Sequence, residues 1–145
     1  MQAEQVGAFE PFGPTWKQAL ADRSGAGFRD IAAPNVRLEG SIFAKPIEGR
    51  DNVWTSFRAA AGITENLAFI HEAAAGDRRY LEWEQEALGR RIEGVSVLVF
   101  DDAGLIESVA IHHRPLDAVL AFSAEMGRSL GDSVGRGVFY RPEDG

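Results

Sequence analysis

The sequence holds 145 residues, with 15 Lys and Arg against 22 Asp and Glu, a formal net charge of −7. Such an acidic chain is a poor match for duplex DNA or an anionic membrane, so neither a nucleic acid nor a membrane is expected as a partner. No apolar run approaches the roughly 18 residues of a membrane span, and the absence of Cys excludes disulfides, thiol nucleophiles and thiolate metal ligands. The expectation is one globular cytoplasmic domain with a real core.

Residues 1–14 lack periodicity and read as an N-terminal arm that carries Phe9 and Phe12. Thr15-Trp16-Lys17-Gln18 has capping-box spacing, which predicts a helix start, with Trp16, Ala19, Leu20 and Arg23 following at helical intervals. Residues 28–33 suit a short helical turn before Pro34, and 35–39 alternate as a short strand. Residues 40–48 look irregular. The next helix starts near Asp51, with Val53, Phe57 and Ala60 on one face, and ends at Gly62.

Beyond Gly62 the period changes from helical to strand-like. Strands are predicted over 67–74, 80–87, 92–100 and 105–113, joined by tight turns at Gly76-Asp77, Gly89-Arg90 and Asp101-Asp102-Ala103-Gly104. Alternation puts Leu81, Trp83, Gln85 and Ala87 on one face, and Tyr80, Glu82, Glu84 and Glu86 on the other. Pro115 precedes a last helix striped by Leu116, Val119, Leu120, Ser123 and Met126. The single domain is expected over 15–131, and the Gly-rich residues 132–145 as a flexible tail. Helices first, then an antiparallel meander, then a helix is the α+β pattern. The expected architecture is a cone-shaped barrel, a curved and mainly antiparallel sheet closed by N-terminal helices.

The run Ala33-Pro34-Asn35-Val36-Arg37-Leu38-Glu39, then Pro46-Ile47-Glu48-Gly49-Arg50-Asp51, then Phe100-Asp101-Asp102-Ala103-Gly104-Leu105-Ile106 and His113-Arg114-Pro115-Leu116 resembles the nuclear transport factor 2-like superfamily. Within it, the chain resembles the SnoaL-like, polyketide-cyclase-type proteins. The resemblance implies a pocket between the concave sheet face and the N-terminal helices, and a homodimer packed through the sheet. The apolar stripe of Val95, Val97 and Val99 independently asks for such a cover. Fold likeness of this kind says little about activity.

Three histidines are the natural candidates for proton transfer near neutral pH. His112 and His113 are adjacent on a strand and point to opposite faces; in phase with Val109 and Ile111, His113 faces the interior. His71 or Glu72 faces inward according to the hairpin register. By the resemblance, Glu39 lies near the carboxylate base of ketosteroid-isomerase-like members, Trp16 near their helix tyrosine and Ser96 near their second acidic donor. All three depart from that pattern, which disfavours steroid isomerisation. The candidate set is His113, Glu39 and His71 for catalysis, with Trp16, Phe43, Trp54, Trp83, Gln85 and Ser96 for substrate binding. No metal site and no cofactor are expected. The functional expectation is a cofactor-free acid/base enzyme, of isomerase, cyclase, dehydratase or lyase type, on a small hydrophobic ring-bearing molecule. The alternative is a non-catalytic carrier of a small apolar ligand.

Overall fold

Strand alternation over four consecutive segments demands a sheet with one buried face, and the helical stripes supply what buries it. The computed structural model describes residues 9–142. Its elements are α1 (Gly13–Ala21), α2 (Ala26–Ile31), β1 (Ala32–Gly40), β2 (Ile47–Glu48), α3 (Arg50–Ala61), β3 (Thr64–Ala75), β4 (Arg78–Ala87), β5 (Arg90–Phe100), β6 (Ile106–Arg114) and α4 (Leu116–Leu130). The strands form one sheet in the order β2-β1-β6-β5-β4-β3. The meander from β3 to β6 is antiparallel, as expected, whereas β1 returns to lie parallel to β6, with Leu38 opposite Val109. The sheet curves without closing on itself, and the helices complete the cone. Trp16, Phe28, Leu38, Leu81, Leu98 and Met126 are almost free of solvent between the layers. No helix among the described residues is long and apolar enough to cross a membrane.

The α1 start differs from the capping box. The helix begins at Gly13, and no side chain of its own caps it. Instead the Glu72 carboxylate, from β3, accepts the backbone N–H of Phe12 at 2.6 Å and of Gly13 at 2.9 Å. Arg79 of β4 donates to the same carboxylate at 2.7 Å and to the Glu10 carbonyl at 2.6 Å, with its guanidinium over the Phe9 ring. A distant carboxylate thus holds the helix start that a local hydroxyl was expected to cap, and it takes different donors, nearer the N-terminus. The described part of the arm lies on the body, where Phe12 meets Phe100 edge-on at 5.2 Å.

The last helix is rotated from the predicted stripe. Ala118, Val119, Phe122 and Met126 face inward, while Leu116 is 72% exposed and Leu120 faces outward. Val119, Phe122 and Met126 share the inner face because they recur at three- and four-residue steps. Residues 132–142 do not form the expected free tail. Val134, Val138 and Phe139 are buried, the Ala44 N–H donates to the Val138 carbonyl at 2.6 Å, and the Tyr140 N–H donates to Ser123 Oγ at 3.0 Å. Gly127 gives this segment room on α4: a Cβ there would sit 3.1 Å from that of Phe139. Residues 1–8 and 143–145 of the expected arm and tail lie outside the described residues.

Candidate functional site

Curvature of the sheet leaves a space that the helices roof but do not fill. It is a cavity of about 280 Å³, walled by α1, α3, α4 and the concave face. Of the predicted site residues, Trp16, Phe43, Trp83, Gln85, Ser96 and His113 line it. Lys17, Glu65 and Asn66, all exposed, mark its mouth.

Sheet register explains the convergence. Trp83 faces Gly94 across β4 and β5, and Gly94 faces His113 across β5 and β6. Because Gly94 has no side chain, the Trp83 indole lies across it; a Cβ there would approach the indole to 2.9 Å. The indole thereby reaches two pairs further along, to the next residue on the same face, and donates from Nε1 to Ser96 Oγ at 3.0 Å. The hydroxyl of Ser96 accepts in this bond, so its own proton remains to be donated.

His113 stands edge-on to Trp83 at 5.3 Å and to Phe122 at 5.8 Å. Its Nδ1 is buried without a hydrogen-bond partner among the described residues. Burial pushes the imidazole pKa from 6.5 down to about 4, a fall that the Ile111 carbonyl opposes and the neighbouring His112 adds to. The ring is therefore neutral at pH 7, with one N–H and one lone pair to offer. His112 is exposed on the opposite face, as alternation requires.

Three expected site residues fall outside. Glu39 is exposed on the outer face and pairs with Arg37 at 3.5 Å, because the inward positions of β1 are Val36 and Leu38. His71 is exposed because β3 carries two irregularities, between Glu65 and Ala68 and between Phe69 and His71, each advancing the register by one residue. Phe69 still lines the cavity, but the second slip turns Glu72, not His71, inward. Trp54 stacks on Phe28 at 5.5 Å with planes 22° apart and belongs to the packing between α2 and α3. Of the two open alternatives at the hairpin, Glu72 is the interior one, and it is consumed by the α1 terminus.

The predicted set did not include Ser56, Phe57, Thr64, Phe69, Phe122 and Met126, which also line the cavity. The Ser56 hydroxyl donates to the Asn52 carbonyl at 3.0 Å. Its position one residue before Phe57, on the face already marked by Val53 and Ala60, was the available signal. The lining is thus mainly apolar and aromatic, and among the described residues His113 is its one titratable side chain away from the mouth.

An uncharacterised protein with a cystatin-like fold from Silicibacter pomeroyi superposes with a TM-score of 0.76 at 19% identity, over 85% of this chain and 88% of that one. A steroid delta-isomerase from Pseudomonas aeruginosa superposes at 0.72 with 25% identity, over 81% and 88%. A Jannaschia protein named for SnoaL-like polyketide cyclases superposes at 0.62 with 15% identity, over 77% and 90%. This is a nuclear transport factor 2-like fold. The cone, the meander and the helical roof are those the residue pattern predicted, and isomerase-like and cyclase-like folds are among the similar structures. No protein-family model matches the sequence, and no curated protein matches it.

Proposed function

We propose that the protein is a cofactor-free enzyme of isomerase or cyclase type, acting on a small, uncharged, hydrophobic molecule with a ring and one oxygen function. The observation that carries this reading is the polar cluster in an apolar cavity. Ser96 has a proton to donate, Trp83 holds its oxygen in place, and His113 has an unpartnered nitrogen. Similarity to the steroid delta-isomerase supports the isomerase side of the reading. The departures at Glu39, Trp16 and Ser96 still disfavour a steroid as substrate.

In this reading a ring ketone enters oxygen first. The Ser96 hydroxyl donates to the carbonyl oxygen and stabilises the enolate as it forms. His113, neutral, accepts the proton leaving the α-carbon and returns it to another carbon, so the net change is a proton shift. A charged ligand head is disfavoured, because among the described residues the only ionic side chains on the lining, Lys17 and Glu65, lie at the mouth.

The test needs no known substrate. Uncharged ring ketones are incubated in heavy water, and exchange of their α-protons is followed by nuclear magnetic resonance. Accelerated exchange is expected with the wild-type chain, and a decrease of about 10²–10⁴-fold with His113→Gln. A His113→Gln protein with wild-type exchange removes His113 from the mechanism.

The carrier reading has its own support. Glu39 and His71 both lie outside the cavity, so among the described residues no interior carboxylate orients His113. A ketone that binds and shows no accelerated exchange over long incubation decides for the carrier.

We also propose a homodimer through the outer sheet face. Val97 is covered within the single chain, but Val95 and Val99 are only partly buried and Tyr80 is exposed beside them. Sedimentation of the wild-type chain is expected to give a dimer, and Val95→Glu a monomer. A wild-type monomer at micromolar concentration overturns this.

A further inference from the structure

The β1–β2 loop supplies two cavity walls, Ile42 and Phe43, yet it is irregular backbone with little pairing of its own. Its first residue, Ser41, is tied to β6, its N–H donating to the Ile111 carbonyl at 3.0 Å and its Oγ accepting the His113 N–H at 2.9 Å. Residues 42–44 are held by the C-terminal segment. The Ala44 N–H donates to the Val138 carbonyl, and the Phe139 ring packs on Phe43 at 5.8 Å. Buried Ser123 of α4 ties the two segments together. Its hydroxyl donates to the Ile42 carbonyl at 2.6 Å and accepts the Tyr140 N–H at 3.0 Å. Phe139 does not line the cavity; it backs the residue that does.

We propose that residues 138–140 are a strap that sets the size of the cavity, and that Phe139 is a positioning residue that selects ring number by holding Phe43 in the wall. The proposal rests on the reading of this cavity as a ligand site. A rigid aromatic wall excludes ligands larger than the space it bounds, and a wall without backing yields to them. The strap acts through the Phe139–Phe43 contact and the backbone bonds at Ile42 and Ala44, and it bonds neither the His113 nor the Ser96 side chain, so its effect is on which ligands fit.

Two measurements test this on the full chain. Affinities for 2-naphthol, with two rings, and 1-hydroxypyrene, with four, are compared by titration calorimetry. Amide hydrogen exchange is followed at residues 41–45. Wild-type protein is expected to prefer 2-naphthol and to protect Ala44. Phe139→Ala should move the affinity ratio by about tenfold towards 1-hydroxypyrene, and Phe139→Leu should restore most of the preference. Ser123→Ala removes the tie without removing the ring, and keeps the test alive if Phe139→Ala fails to fold. It should speed exchange at Ala44 by about tenfold. Unchanged exchange in Ser123→Ala, or an unchanged ratio in a folded Phe139→Ala, overturns the strap. Binding of neither probe by the wild-type chain sinks the ligand-site reading instead, while exchange at Ala44 still decides whether the segment holds the loop.

Discussion

Acidification from pH 6.5 to about 4 is expected to remove about 3 kcal/mol of folding stability through His113 alone. Above that window the imidazole is neutral in both the folded and the unfolded chain, so its contribution is fully present. As the pH falls through 6.5 the unfolded chain takes up a proton that the buried ring refuses, and stability declines. Near pH 4 the folded ring is protonated too, and the slope ends. The cause is chiefly burial against Trp83 and Phe122, with the His112 charge adding to it. Urea denaturation across this range should show the loss in the wild type and its near disappearance in His113→Phe, which keeps both edge-on ring contacts. A wild-type slope in His113→Phe would assign the acid sensitivity to other groups.

Glu72→Ala is expected to cost about 3 kcal/mol or more, among the largest effects of any single substitution here. The Glu72 side chain is 12% exposed and Arg79 24%, so neither charge is well hydrated once its partner is gone. The alanine also leaves the Phe12 and Gly13 N–H groups without an acceptor. Arg79→Ala should cost less, because Glu72 keeps its two backbone donors. A double-mutant cycle by chemical denaturation isolates the pair. Equal costs for the two single variants, or a cost for Glu72→Ala within the range of an exposed pair, would show that the carboxylate does not hold the α1 terminus. Trp16 sits on that helix, so the same variant should also loosen one wall of the cavity.

The general architecture could be read from periodicity because β4, β5 and β6 keep one parity across the residues that face the cavity. β4 is the clearest case: Leu81, Trp83, Gln85 and Ala87 all face inward, as their spacing demands. His113 and Ser96 could be placed by the same parity. β3 could not, because parity carries only as far as an unbroken ladder, and the two slips at Glu65/Ala68 and Phe69/His71 reset it twice. Glu39 was misplaced for another reason: the resemblance put a carboxylate near the strand end, whereas the alternation with Val36 and Leu38 already pointed it outward. The strap was hidden in composition. Gly131, Gly135 and Gly137 suggested a free tail, and the three apolar residues that bury it, Val134, Val138 and Phe139, recur at no regular interval. Long-range partners such as Glu72 for the α1 terminus leave no local trace at all.

The parallel seam between β1 and β6 has a kinetic consequence. Leu38 and Val109 meet across roughly seventy intervening positions, whereas the hairpins of the meander close over a few. Closing so long a loop is favourable only when most of its docking surface already exists. The meander is therefore expected to form first and β1 to dock late, carrying the cavity loop with it, an order that φ-values along the two seams would read. Substitutions along the seam are then expected to act mainly on the rate of unfolding, and those in the meander on the rate of folding. On that order, the first strand in the chain is expected to be among the last secured.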